Sequence, residues 1–105
     1  MARAIALRSL DLVMPDVQRI GGVTGWLRAA ALAHAHGIEM SSHLFPEVSC
    51  HLLAATPTCH WLEYVDWANP VLKDPVGLKD GQVMIPDGPG LGLQWDEKAV
   101  ERYKV

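Results

Sequence analysis

No stretch of this chain approaches the roughly 18–20 consecutive apolar residues that a membrane-spanning helix requires, and no cluster of basic residues occurs. The first absence argues against a membrane partner, and the second against nucleic acid as the main partner. The opening Met1-Ala2-Arg3-Ala4-Ile5-Ala6-Leu7-Arg8 has an arginine inside its apolar run and no long hydrophobic segment, so it does not read as a secretory signal. A cytoplasmic location is the expectation. Cysteine is scarce: Cys50 and Cys59 are the only two, they suit reduced thiols, and a disulfide between them is not indicated. No Cys-x-x-Cys or His-x-x-x-His pair exists. Cys50 and His51, adjacent on an expected helix, point apart, so a zinc site built with Cys59 and His60 is not expected. No internal repeat or low-complexity segment is present.

What is there suits one small soluble domain of 105 residues, half of them apolar, with a net charge of −3. Three short apolar runs read as buried strands: Leu10 to Met14, Gly37 to Ser41 and His60 to Val65. Between the first two, Thr24 is placed to cap a helix over Gly25–His36, whose small residues suit close packing on a sheet, with Gly37 as its left-handed C-cap. Between the last two, Pro46 suits the first turn of a helix over Pro46–Ala55, which Pro57 stops. Strand, helix, strand, helix, strand implies a parallel sheet. Asp16, His43 and Glu63 then gather at the carboxyl ends of neighbouring strands, where such folds keep their chemistry.

Arg3–Leu10 reads as the end of a helix. Beyond Asp66 the character changes to a series of turn signals. Val76–Lys79 and Gln82–Ile85 can pair as a hairpin across Asp80-Gly81, and Asp96 can cap a terminal helix over Glu97–Tyr103. The expected division is therefore an α/β part over 1–66 and an extended tail over 67–105. Three parallel strands want both faces and both edges covered, which points to the last part of a larger sheet or barrel.

Met14-Pro15-Asp16, Ile20-Gly21-Gly22-Val23-Thr24-Gly25-Trp26, Ser41-Ser42-His43-Leu44-Phe45, the run from Ala54 to Glu63, and Ile85 to Gly92 together resemble the C-terminal part of the mandelate racemase family in the enolase superfamily. That resemblance implies strands six to eight of a modified (β/α) TIM-type barrel. It also implies a tail that packs toward a missing capping domain. By the resemblance, His43 is the base, Asp16 its dyad partner, and Glu63 the acid that hydrogen-bonds the substrate carboxylate. Such sites take a proton next to a carboxylate, with a Lys or His base and magnesium stabilising the resulting enediolate. The metal-binding acids and the Lys-x-Lys base motif of that family belong to strands absent from this chain, so no metal ligand is assigned here.

Taken singly, each residue has a plainer reading. Asp16 can be a loop residue, His43 a surface histidine, and Glu63 an outward-facing strand residue. In company with the flanking motifs they read as the family's site positions. Leu44 and Val65, beside His43 and Glu63, suggest an apolar wall near the substrate's side chain. The functional expectation is a magnesium-dependent racemase or dehydratase acting on a 2-hydroxy carboxylate, homo-oligomeric when complete. The alternative is an inactive fragment or interaction module of the same fold, and activity of this chain alone is not expected.

Overall fold

The computed structural model describes residues 1–104 and divides the chain into two compact units, Met1–Tyr64 and a second from Val65 onward. In the first unit, helix α1 spans Ala2–Ala6, strand β1 Leu12–Val13, helix α2 Gly22–Ala35, strand β2 Glu39–Met40 and helix α3 Pro46–Ala54. β1 and β2 are parallel, with Leu12 opposite Glu39 and Val13 opposite Met40. The pairing continues beyond the regular strands: Ser41 N–H donates to Val13 O and His43 N–H to Pro15 O. Asp16 and His43 form a further parallel bridge.

The third expected strand, His60–Val65, is extended but not regular. It joins β2 through a parallel bridge between Met40 and Cys59, and two of its N–H groups bond to serine hydroxyls in place of carbonyls. That substitution is why no regular strand forms there.

Alternation across the strands sorts the side chains. Val13 and Met40 point under the helices and join Trp26, Ala29, Ala30, Ala33, Leu52 and Leu53 in the core. Trp26 is wholly buried, and its indole N–H donates to Thr56 Oγ1 at 3.0 Å; that hydroxyl in turn donates to Leu52 O at 2.8 Å. On the other side of the strands Leu12, Met14 and Trp61 are exposed. A parallel sheet covered on one side only is what a segment of a (β/α) barrel looks like, because the second face is the barrel interior.

Helix α2 begins at Gly22, three residues before the expected start, and Gly21 at φ 92° takes the N-cap position instead of Thr24. The glycine pair turns the chain, and Gly22 N–H bonds to Val17 O, so the helix is entered without a side-chain cap. α1 is shorter than expected and ends at Ala6.

In the second unit, β3 (Gly77–Lys79) and β4 (Gln82–Met84) form an antiparallel hairpin. Asp80 and Gly81 both have positive φ, 51° and 76°, as a two-residue type I′ turn demands. Asp96 caps α4 (Glu97–Glu101) by accepting from Lys98 N–H and Ala99 N–H. That helix stops short of the expected Tyr103.

Candidate active site

The loop after β1 presents Asp16, and the residue just past β2 presents His43. Their parallel register sets the two side by side, with Nδ1 of His43 2.9 Å from Oδ2 of Asp16. The other carboxylate oxygen, Oδ1, accepts from Gln18 N–H at 2.8 Å and Arg19 N–H at 3.2 Å. The His43 hydrogen bond is the main cause that holds Asp16 below the ordinary carboxylate range; desolvation opposes it, and the Arg19 and Gln18 amides reinforce it. An ionised carboxylate only accepts hydrogen bonds. Nδ1 of His43 therefore carries the hydrogen, and in the neutral ring Nε2 carries the lone pair. The Asp16 side chain is one-tenth exposed and that of His43 38% exposed, so the imidazole is open to an approaching molecule. Both line a groove of about 510 Å³ whose walls include Leu12, Met14, Arg19 and Ile20.

Glu63 stands at the end of the third segment. Its Oε2 accepts from Leu44 N–H at 2.7 Å. Leu44 and Phe45 follow His43 with φ of 56° and 49°, a left-handed pair without glycine. Such backbone costs roughly 1–2 kcal/mol per residue and needs to be held in place. Ser49, fully buried in α3, donates its hydroxyl to Leu44 O at 2.8 Å, and its N–H donates to Phe45 O. Asp16, His43, Leu44 and Glu63 are thus one hydrogen-bonded neighbourhood at the carboxyl end of the sheet. Val65 opens the second unit.

Sequence reasoning missed Ser41, Ser42 and Ser49. The Ser41-Ser42-His43 run reads only as a strand end, and nothing in it says which hydroxyl meets which amide. Cys50 and Cys59 are free, the first buried with its thiol pushed up by desolvation. Among the described residues no three His, Cys, Asp or Glu side chains gather to hold a metal ion.

Ionisable groups at the carboxyl ends of parallel strands, backed by helices on one face, fit a portion of a (β/α) barrel, a fold that keeps its chemistry at that end. Residues 1–99 match the enolase C-terminal domain-like family, and the chain belongs to it, within the mandelate racemase and muconate lactonizing group of the enolase superfamily. It is 54% identical to an enolase of alpha proteobacterium bal199 solved with bound magnesium, with a TM-score of 0.94 over 97% of this chain and 28% of that one. It is 50% identical to a Bradyrhizobium enolase complexed with magnesium and mandelic acid, with a TM-score of 0.92 over 99% of this chain and 28% of that one. Against the L-talarate/galactarate dehydratase of Salmonella typhimurium it is 40% identical over 85% of this chain and 22% of the relative. The chain thus spans about a quarter of the length of these relatives.

Members of this superfamily related to the chain include dehydratases, cycloisomerases and a racemase, and complete enzymes of the family use magnesium.

Proposed function

We propose that this chain supplies the base and acid of a site that removes the α-proton of a 2-hydroxy carboxylate, as part of a racemase or dehydratase of the enolase superfamily. The observation that carries the reading is the 2.9 Å pairing of His43 Nδ1 with an Asp16 carboxylate that two backbone amides also hold. Asp16 fixes the ring and its tautomer and stabilises the imidazolium that forms as Nε2 takes the proton. Glu63, with Oε2 engaged by Leu44 N–H, offers Oε1 to the substrate carboxylate and shares a proton with it. That hydrogen bond strengthens as charge develops on the carboxylate in the enediolate. In a racemase a donor on the opposite face, supplied by the remaining strands, delivers a proton to the α-carbon; in a dehydratase the β-hydroxyl takes a proton and leaves as water. Leu44 and the apolar side of the groove, Leu12, Met14 and Ile20, favour an aryl or alkyl substituent over a polyhydroxylated one.

The test is segment exchange: residues 1–104 replace the matching segment of the Bradyrhizobium relative, which then supplies the remaining strands. Incorporation of solvent deuterium at the α-carbon of the mandelate enantiomer whose α-proton faces His43, lost on His43→Asn, is the expected result. A folded, magnesium-binding hybrid without exchange would overturn the proposal. It would favour a chain that acts only by association, a reading that draws on the exposed Leu12, Met14 and Trp61.

A further inference from the structure

The pairing between β2 and the extended segment after Thr58 does not keep one register. Met40 N–H donates to Thr58 O, and His60 N–H donates to Met40 O, which sets Met40 opposite Cys59. Continued unchanged, a parallel ladder sends Ser42 N–H to His60 O and sets His43 opposite Leu62. In the structure Ser42 N–H donates instead to Trp61 O at 2.9 Å. One extra residue has been taken up on the outer segment, a bulge in a parallel pair, and His43 stands level with Glu63. Leu62 accordingly packs against the core, on the side to which the buried Ser42 points.

Across the slip, two amides of the outer segment bond to hydroxyls and not to ladder carbonyls. Two serine hydroxyls take them: Ser41 Oγ accepts from Trp61 N–H at 3.2 Å and Ser42 Oγ accepts from Glu63 N–H at 3.0 Å. Ser41 is half-buried and Trp61 exposed, so water can stand in for the first bond. Ser42 is wholly buried. An amide left facing it without the hydroxyl has no cheap replacement partner.

We infer that Ser42 is a positioning residue: its hydroxyl holds the one-residue slip that brings the Glu63 carboxylate level with His43. The inference rests on the reading of Glu63 as the acid of the site. Without the hydroxyl, the ladder satisfies its amides best by returning to the unslipped register. A step along a strand is about 3.3 Å and turns the next side chain to the other face. Leu62 then stands beside His43, and Leu44 N–H loses the carboxylate that it now meets at 2.7 Å.

The Leu44 amide gives a direct readout, because an N–H bonded to a carboxylate reports that group's titration in its chemical shift. In the intact ¹⁵N-labelled protein, Ser42→Ala is expected to abolish the pH dependence of the Leu44 amide, while the Nδ1–H signal of the His43–Asp16 pair persists. In the hybrid enzyme, deuterium exchange at the substrate α-carbon should fall by the same factor as in Glu63→Gln. Ser42→Thr and Ser42→Val form a second, matched pair, alike in shape and different in the hydroxyl. The threonine variant should keep the Leu44 titration and the valine variant should lose it. A Leu44 amide that titrates alike in wild type, Ser42→Ala and Ser42→Val overturns the inference, even where Glu63→Gln proves severe. Loss of that titration together with a harmless Glu63→Gln supports the positioning and removes Glu63 from the chemistry.

Discussion

Gly25→Ala should displace the loop that carries Asp16, although the residue lies in a helix and touches neither member of the pair. A Cβ on Gly25 would stand 1.7 Å from the carbonyl oxygen of Ile20 and 2.6 Å from its carbon, against at least 3.0 Å for any real contact of that kind. Both obstacles are backbone atoms, so no side-chain rotation relieves the clash. Ile20 N–H is bonded to Asp16 O at 2.9 Å and Gly22 N–H to Val17 O at 2.8 Å, so the loop cannot retreat without breaking its own ties. Overpacking of this sort costs about 1–3 kcal/mol. Loss of two loop hydrogen bonds adds about 1 kcal/mol each. The better helix propensity of alanine returns up to about 1 kcal/mol. The net expectation is a loss of about 3 kcal/mol, read from the denaturant midpoint of the intact protein. The amides of Gln18 and Arg19, which hold Asp16 Oδ1, move with the loop, so the Nδ1–H signal of His43 should weaken in the same variant. A Gly25→Ala protein as stable as wild type, with that signal unchanged, would refute the reasoning.

Thr56→Ala removes the acceptor of the buried Trp26 indole N–H and should cost about 1–3 kcal/mol in denaturant unfolding; a cost near zero would mean that the indole finds another partner. Asp16 is depressed in the fold chiefly by the His43 hydrogen bond. Its contribution to stability is therefore present above the ordinary carboxylate range, near pH 4, and is lost as pH falls through the lowered value. Asp16→Asn should flatten that acid limb in melts between about pH 2 and pH 5, and a limb of unchanged steepness would contradict the assignment. In the hybrid enzyme, Glu63→Gln should lower turnover by two to three orders of magnitude, about 3–4 kcal/mol, with the fold kept; unchanged turnover would remove Glu63 from the mechanism.

Helix positions and the order of the strands were legible because they depend on local pattern. Small residues with apolar spacing between Gly22 and Ala35, and proline at Pro46, say helix whatever the partners are. Asp16 and His43 were legible for a related reason: each follows a short apolar run, and parallel pairing puts such positions side by side. The start of α2 was not, because the N-cap went to Gly21 in a left-handed conformation that a sequence ending in Thr24-Gly25 does not advertise. Nor was the third segment. His60 to Val65 has the composition of a strand, but its amides are met by Ser41 and Ser42 hydroxyls across a slipped register. A choice of register between two segments is a property of the pair and leaves no mark in either alone. The left-handed Leu44-Phe45 turn is of the same kind, held by Ser49 and Glu63 from outside it.

Asp16 is expected to fix His43 with its hydrogen on Nδ1, leaving the lone pair on Nε2. Selective ¹⁵N labelling of histidine in the intact protein measures this directly, because the shifts of the two ring nitrogens distinguish the tautomers. The expected result is a neutral ring with Nδ1 protonated and Nε2 bare, and loss of that preference in Asp16→Asn. A neutral ring protonated at Nε2 in the wild type would contradict it.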